Sequence, residues 1–161
     1  MGQEAHLVAP RFARGCRCFG AWLGHELVGY GWWSRTPEWI GEVQLQITPA
    51  SGEAYIWNCV TLDPHRRKGV FRSIVTSVVA KGREEAMGRL WIASMTSVGA
   101  NSIEQAGFQP VFRMDSASRF GLRWLRVKSV EGAHPALAAA AREVMSIKPG
   151  MSVRRARQKR H

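Results

Sequence analysis

Between residues 54 and 95 the spacing of apolar residues changes from a strand pattern to a helix pattern and back. Ala54–Thr61 (AYIWNCVT) is rich in aromatic and β-branched residues, which indicates a buried strand. After Gly69, apolar residues recur at i, i+3, i+4, i+7 and i+8, which is typical of an amphipathic helix running to about Met87. Leu90–Met95 is the next strand. Because a strand–helix–strand crossover makes its two strands parallel neighbours, this segment predicts a sheet with a parallel pair.

The segments on either side of the crossover predict further elements. Turn residues separate two β-rich runs and indicate a hairpin of Arg17–Leu23 and Leu27–Ser34. Glu42–Thr48 alternates polar and apolar residues, which favours a half-buried strand. Beyond the crossover, SVGANSIEQAG predicts a short helix that ends at Gly107.

The last third of the chain predicts two more strands and a helix. FQPVFRMD and RFGLRWLRV form a strand pair joined at Ser116-Ala117, and HPALAAAAREVMSI is an Ala-rich helix with Pro135 in its first turn. The predicted fold class is therefore α/β, with a mixed, mostly antiparallel sheet and flanking helices. We predict one domain over residues 1–150 and a basic, disordered tail over residues 151–161.

The net charge of +11 narrows the classes of partner. A strongly basic chain suits a small anion, a nucleic acid or a membrane surface. Five of the Lys and Arg residues lie in the C-terminal VRRARQKRH, which is either a solvated tail or a nucleic-acid-binding tail. The chain has no run of 18 apolar residues and no signal-like apolar segment, so we expect neither a membrane span nor secretion. Three cysteines without metal-binding spacing predict free thiols, no metal and a cytoplasmic location.

The loop between the first strand of the crossover and its helix is basic. Arg66, Arg67 and Lys68 directly precede Gly69, and Arg72 follows in the helix. A helix N-terminus exposes unpaired N–H groups and a partial positive charge, and a glycine lets a ligand approach the backbone. These groups predict a site of pyrophosphate size, for which a solvated basic loop is the alternative. The spacing fits neither a Walker P-loop nor a dinucleotide fingerprint.

Three motifs, in this order along the chain, resemble those of the GNAT N-acetyltransferase superfamily. HELVGYGWW is similar to the family's Gly-x-x-Val-Gly hairpin. TLDPHRRKGVFRSIV resembles its coenzyme A loop, Arg/Gln-x-x-Gly-x-Gly/Ala between a strand and a helix, with Phe71 where the family usually has Gly or Ala. SIEQAGFQPVFRM resembles the segment after the family's fifth strand, so the matches span about Cys18–Met114. The resemblance implies a GNAT-like fold in which a central twisted sheet contains a parallel pair that splays apart, with acetyl-CoA in the gap.

The same resemblance implies which residues contact the co-substrate. A backbone N–H near Val60 would polarise the thioester carbonyl, as an oxyanion donor does. The hydroxyl of Thr96 would donate a hydrogen bond to the pantetheine arm. The full set of implied cofactor-binding residues is Cys59, Val60, Thr61, Arg66, Arg67, Lys68, Gly69, Val70, Phe71, Arg72 and Thr96.

Three side chains are candidate general bases for removing the acceptor's proton. Glu42 and Glu53 lie at the starts of predicted strands, and His65 carries an imidazole, a common base near neutral pH. Asn58 is excluded from this role because an amide does not take a proton. Many family members place a tyrosine, as acid toward the leaving thiolate, where this chain has Ile103.

Two other sets of side chains have both a functional and a packing interpretation. Cys59 is either a covalent acetyl carrier or a small core residue, and its position in a buried strand favours the core. Trp32, Trp33 and Trp39 either line an acceptor pocket or pack in the core and at the sheet edge, and we favour packing.

The predicted function is transfer of an acetyl group from acetyl-CoA to a primary amine, directly and within a ternary complex. The alternatives are a non-catalytic domain of this fold that binds coenzyme A or nucleic acid, and an RNA-binding accessory protein.

Family members usually have a strand and two helices before the hairpin, whereas about fifteen residues precede Cys16 here. In the family these elements form one wall of the acceptor pocket. Here we expect that this wall is missing, that the Ala-rich helix forms it, or that a second copy in a homodimer supplies it. Aminoglycosides, polyamines, amino acids and protein amines all stay open as acceptors.

Overall fold

The computed structural model describes residues 4–41, 43–119, 122–146 and 153–155. The chain divides into two compact units, the first made of Met1–Glu38 with Thr48–Phe108 and the second of Trp39–Ile47 with Gln109–His161. In chain order the described elements are α1 (Ala5–Ala13), β1 (Arg17–Leu23), β2 (Glu26–Ser34), β3 (Glu38–Ile40), β4 (Leu45–Ile47), β5 (Glu53–Thr61), α2 (Val70–Glu84), β6 (Arg89–Ile92), α3 (Ser97–Gln105), β7 (Phe112–Arg119), β8 (Leu122–Ser129), α4 (Pro135–Val144) and β9 (Val153–Arg155).

The first unit contains a four-stranded mixed sheet with the strand order β1-β2-β5-β6. β1 and β2 form the predicted antiparallel hairpin, and β2 pairs antiparallel with β5. β5 and β6 are parallel and adjacent, with α2 between them in the chain. The predicted fold class and the predicted parallel pair are therefore confirmed.

The two faces of this sheet carry separate apolar clusters. On one face, buried residues of α2 pack with Trp33, Ala54 and Ile56. On the other face, Cys16, Tyr30 and Trp32 are buried together, and Val8 of α1 packs against them. Successive side chains of a strand point to opposite faces of the sheet, so each strand contributes residues to both clusters.

Two glycines of β2 allow α2 to lie close to the sheet. A Cβ on Gly29 would lie 2.7 Å from Cγ1 of Val70, and a Cβ on Gly31 would lie 2.9 Å from Cγ2 of Ile74. Any side chain at these positions would push the start of α2 outward. The GYGWW segment thus sets how closely the first turn of α2 approaches β2 and β5.

The structure corrects several predicted element boundaries. The strand predicted over Glu42–Thr48 is shorter, since β4 is Leu45–Ile47, and the strand predicted over Leu90–Met95 is β6, which begins at Arg89 and ends at Ile92. The predicted turn at Ser116-Ala117 is wrong, because both residues lie inside β7 and pair with β8. Ser and Ala are weak turn signals, and a continuous antiparallel ladder overrides them.

The helix α1 was not predicted from the sequence. Pro10 lies inside it, and an interior proline normally argues against a helix because it lacks an N–H donor. Phe12 lies 5.2 Å from Trp32, ring centroid to ring centroid, so contact with the sheet supports this helix.

The second unit contains a three-stranded antiparallel sheet in the order β7-β8-β9. Its helix α4 begins after His134, whose Nδ1 accepts a hydrogen bond from the Ala136 N–H at 3.3 Å. Within the predicted tail, Val153–Arg155 forms β9, and the rest of that tail lies outside the described residues. None of the helices in the described part of the chain combines the length and apolar character that crossing a bilayer needs.

Candidate active site

The parallel pair β5–β6 is hydrogen-bonded over only part of its length. The paired residues run from Glu53 opposite Arg89 to Ile56 opposite Ile92. β6 ends at Ile92, whereas β5 continues to Thr61. In the described residues the β5–β6 ladder therefore parts after Ile56 and Ile92, and residues 57–61 of β5 continue without a ladder partner in β6.

A β-bulge in β5 lies where the two strands part. Tyr30 is opposite Val60 and Trp32 is opposite Trp57, so Gly31 faces two residues of β5 instead of one. The first of these two, Asn58, has φ +45°, a left-handed conformation that asparagine tolerates better than most residues. A bulge bends its strand and re-aims nearby side chains, and bulges are common beside active sites. The bulge lies directly after the residues at which the β5–β6 ladder ends.

The loop after β5 leads to the N-terminus of α2 without an acidic cap. Gly69 occupies the N-cap with φ +81°, and the first helical hydrogen bond runs from the Ser73 N–H to its carbonyl oxygen at 3.0 Å. No side chain caps this end, and no Asp or Glu lies in the first turn. The N–H groups that lack helical acceptors thus keep their partial positive charge.

Basic side chains surround this helix end. Arg66, Arg67 and Lys68 are exposed, and Arg72 lies one turn further along α2. Arg66 forms an ion pair with Asp63 at 2.7 Å, and Arg72 donates to the side-chain oxygen of Gln105 at 2.6 Å. The predicted basic residues and the glycine therefore lie together at one helix end, where amides and cations can bind a diphosphate.

The residue Phe71 departs from the small residue that the family usually has. Its side chain is half-buried in the first turn of α2, beside Val70, which packs against the core of the first unit. Phe71 thus lies in the same turn as the amides of the helix end.

The thiol of Cys59 lies on the α2 side of β5. Burial, with a smaller contribution from Cys18, raises the pKa of Cys59 to about 12. The thiol therefore stays protonated near neutral pH, which makes it a poor nucleophile. This geometry favours the core interpretation of Cys59 over an acetyl carrier.

Thr96 precedes α3, beyond the end of β6. Its Oγ1 accepts a hydrogen bond from the Gly99 N–H at 3.0 Å, which leaves the hydroxyl hydrogen available to donate. A Cβ at Gly99 would lie 2.1 Å from Oγ of Ser94, so a larger residue here would force the Ser94 side chain to move.

The three predicted bases occupy different places. Glu53 is buried at the start of β5, where its carboxylate accepts from Arg89 at 2.6 Å and from the Trp91 indole at 2.7 Å. It lies at the end of β5 away from the basic loop, about 26 Å along the strand at ~3.3 Å per residue. His65 is buried, with Nε2 3.1 Å from the Glu26 carboxylate. Glu42 lies outside the described residues.

A polar cluster at the bulge was missed by the sequence interpretation. The Oε2 atom of Glu4 accepts hydrogen bonds from Asn58 and, at 3.0 Å, from Arg11. The guanidinium of Arg11 lies 4.4 Å from the ring of Trp57 and 5.1 Å from that of Trp32. Nothing in the sequence pairs residues 4 and 58, because the contact depends on an unpredicted helix and an unpredicted bulge.

The tryptophans and the metal-binding residue types can also be placed. Trp32 and Trp33 are core residues on opposite faces of the sheet, as the packing interpretation predicts, and Trp39 is exposed. Burial and the negative charge of Glu4 raise the pKa of Tyr30, which lies in the same cluster as Trp32. No group of three or more His, Cys, Asp or Glu within the described ranges is arranged to hold a metal ion.

Comparisons with known proteins agree with this geometry. The sequence profile of the acetyltransferase (GNAT) family matches residues 3–105, more than half of the chain. No curated protein sequence matches significantly.

Similar solved structures are described as acetyltransferases. A protein from Agrobacterium tumefaciens str. C58 is 19% identical, covers 74% of this chain and 81% of its own, and has a TM-score of 0.54. A ribosomal-protein-alanine N-acetyltransferase from Brucella melitensis is 16% identical over 74% of this chain and 80% of its own, with a TM-score of 0.51. A Bacillus subtilis acetyltransferase in complex with CoA is 18% identical over 71% of this chain and 64% of its own, with a TM-score of 0.50. At these identities the structures show the fold alone, and the profile match shows that the chain belongs to the GNAT acetyltransferase family.

Proposed function

We propose that this chain transfers the acetyl group of acetyl-CoA to a primary amine, directly and with both substrates bound. The observation that carries the proposal is the parting of β5 from β6 at a bulge, in front of a basic, uncapped helix end. The parted strands offer backbone groups to the pantetheine arm, and the helix end offers amides to the diphosphate.

The co-substrate lies in this proposal along the open side of β5. Cys59, Val60 and Thr61 contribute backbone groups to the pantetheine arm, and the Val60 N–H polarises the thioester carbonyl. The Thr96 hydroxyl donates to the same arm. The diphosphate binds to the amides and cations at the start of α2, contributed by Arg66, Arg67, Lys68, Gly69, Val70, Phe71 and Arg72.

The chemical step uses the neutral amine as nucleophile. Its lone pair attacks the thioester carbonyl carbon, the C–S bond breaks, and the sulfur leaves as a thiolate. The nitrogen then loses one proton and the thiolate gains one, so the products are an amide and free coenzyme A thiol. Ile103 is buried where many family members place a tyrosine, so this proton comes from elsewhere. Placing both substrates together supplies much of the acceleration.

The side chain that accepts the proton of the amine is also a matter of proposal. Glu42 stays a prediction because its placement lies outside the described residues. Glu53 and His65 are buried and already have partners, Glu53 with Arg89 and Trp91 and His65 with Glu26. We therefore expect substitution of Glu53 or His65 to lower the free energy of unfolding more than it lowers the rate of the chemical step.

Calorimetry with acetyl-CoA tests the co-substrate site. The wild-type chain should release or absorb heat, and Gly69→Asp should abolish binding because it places a carboxylate and a strained backbone at the diphosphate site. Gly132→Asp is the matched control, since Gly132 has φ +78° and, like Gly69, open space where a Cβ would stand. Equal loss of binding in both variants, or no heat with the wild type, contradicts the proposal.

Release of free thiol separates an enzyme from a binder. Incubation of the chain with acetyl-CoA and a panel of amines should release thiol faster than the chain without amine. Binding of acetyl-CoA without thiol release would instead support the alternative, a non-catalytic domain of this fold.

Two further predictions accompany the proposal. A homodimer would supply one wall of the acceptor pocket from a second copy, and gel filtration at the 18.0 kDa mass of one chain would contradict it. A nucleic-acid-binding tail predicts RNA affinity that falls steeply with salt and with deletion of residues 153–161.

We also propose a reducing compartment, the cytoplasm, because Cys16, Cys18 and Cys59 are free thiols.

A further inference from the structure

The carboxylate of Glu4 lies one hydrogen bond away from the β5 bulge. Its Oε2 atom accepts from the side-chain amide of Asn58, the bulge residue with φ +45°. Asn58 directly precedes Cys59 and Val60, which the proposed function places beside the thioester. A carboxylate that bonds to Asn58 is thus close to the position of the acetyl group.

The bulge turns two successive side chains to the same face of the sheet. Trp57 contacts the Arg11 guanidinium and Asn58 contacts Glu4, so both reach the face covered by α1. The thiol of Cys59 points to the other face, toward α2. An acceptor that approaches from the α1 side therefore meets Glu4 before it meets the strand.

The two charges of this cluster differ in their access to water. Arg11 is 5% exposed and lies over two indole rings, whereas the side chain of Glu4 is 45% exposed. Both donors from the described residues bond to Oε2 of Glu4. The carboxylate can therefore keep its bond to Arg11 and still accept an N–H from a ligand, since an ionised carboxylate has about four lone-pair sites.

We propose that Glu4 binds the ammonium group of the acceptor and so sets the acceptor class. This inference rests on the proposed function, because it places the amine by reference to the thioester. A carboxylate forms a charge-assisted hydrogen bond with an ammonium group, which is stronger than a neutral hydrogen bond. The ammonium group gives its proton to solvent before it reacts as the neutral amine, and Glu4 positions it at the bulge.

The charge around this carboxylate favours an acceptor with one positive charge. Arg11 already contributes one cation to the cluster, as the ion-pair partner of the same carboxylate. A second or third ammonium group on the acceptor would be repelled by this field. A primary monoamine is therefore the acceptor class that this site suits, in preference to a polyamine.

Steady-state kinetics of thiol release test the assignment, with benzylamine as the monoamine probe and spermine as the polyamine probe. Glu4→Gln keeps an oxygen for Arg11 and Asn58 but removes the charge. It should raise the KM for benzylamine about tenfold and leave the KM for acetyl-CoA unchanged. The thermal midpoint should fall, because buried Arg11 loses its counter-charge. Glu84→Gln, an exposed carboxylate of α2 in an ion pair with Lys81, is the matched control and should change none of these values.

The salt dependence of the KM for benzylamine distinguishes binding by the charge of Glu4 from a purely structural role of Glu4. The wild-type KM for benzylamine should rise between low salt and 1 M salt, where the Debye length falls to about 3 Å, whereas that of Glu4→Gln should stay nearly constant. Spermine should have a lower kcat/KM than benzylamine at low salt.

Four results would overturn the assignment. If Glu4→Gln raises both KM values together, Glu4 is only the ion-pair partner of Arg11. If the benzylamine KM is unchanged, or if spermine is the better acceptor, Glu4 does not select a monoamine. If acetyl-CoA binds but neither amine releases thiol, the acceptor is not of this class. Absence of acetyl-CoA binding is the separate result that removes the proposed function, and this inference with it.

Discussion

The two faces of the first unit's sheet are built from different interactions. The α2 face is an apolar cluster in which glycines let the helix lie against the strands, with Ile56, Val75 and Val78 fully buried. The α1 face is built around the buried cation Arg11, held by two indole rings and the Glu4 carboxylate. In the proposed function the α2 face carries the cofactor loop, whereas the α1 face presents the polar groups of Glu4 and Asn58 to the acceptor. We therefore expect stability to depend mainly on the α2 face and acceptor choice on the α1 face.

Truncation of the α2 face should have the largest effect on stability. Ile56→Ala removes a fully buried side chain in close-packed surroundings, so we expect the free energy of unfolding to fall by about 3–4 kcal/mol. Urea titration followed by circular dichroism measures this change. Leu23→Ala is the control, because Leu23 is 66% exposed and its truncation should cost under about 0.5 kcal/mol. Similar losses in both variants would contradict a tightly packed α2 face.

Overpacking at β2 should have the next largest effect. Gly31→Ala brings a methyl group to 2.9 Å from Sγ of Cys59 and from Cγ2 of Ile74, which should cost about 2 kcal/mol. The double variant Gly31→Ala/Cys59→Ala removes the sulfur and should recover part of the loss in a double-mutant cycle. Gly41→Ala, where a Cβ meets nothing within 4 Å, is the matched glycine control. Additive losses in the cycle would show that the two residues do not interact.

Removal of the buried cation tests the α1 face. Arg11→Met keeps an adaptable apolar side chain over the rings, and it lets the half-exposed Glu4 return to water. We expect a loss of about 1 kcal/mol, since a buried ion pair is often replaceable by an apolar residue. Arg83→Met, at an exposed site of α2, is the control, and thermal denaturation compares the two. A loss above about 3 kcal/mol would make the α1 face as important for stability as the α2 face.

Alkaline pH should produce the smallest effect, through Cys59. Its pKa is about 12 in the folded chain against an ordinary value of 9.0, so the unfolded chain loses this proton first as the pH rises. The contribution to stability is complete below about pH 9 and is lost between pH 9 and 12, by up to ~1.4 kcal/mol per pH unit. Urea titrations at pH 7 and pH 10 should show a smaller alkaline loss for Cys59→Ala than for the wild type. Equal losses would indicate that the thiol is open to solvent.

Much of the α2 face could be predicted from residue patterns. The apolar period after Gly69 depends only on helix geometry, and it correctly predicted both the crossover and the buried positions Ile74, Val75 and Val78. The basic loop was also predictable, because its cations and Gly69 are adjacent in the chain, and the structure places that glycine at the helix N-cap with φ +81°.

The α1 face could not be predicted in this way. A helix containing Pro10 depends on packing for its stability, and the bulge at Asn58 depends on the register between β2 and β5. The contact between Glu4 and Asn58 joins residues 54 positions apart, and each alone is an ordinary polar residue.

The sequence by itself determined the β1–β2 hairpin, the parallel crossover from β5 through α2 to β6 and the place of the basic loop, because these follow from periodicity and from residues adjacent in the chain. Only the tertiary structure decided where β5 parts from β6, that Glu53 pairs with Arg89 at the far end of its strand, and that Glu4 lies at the bulge. Such features depend on strand register and on long-range contacts, whose free energy arises only after distant segments have packed together.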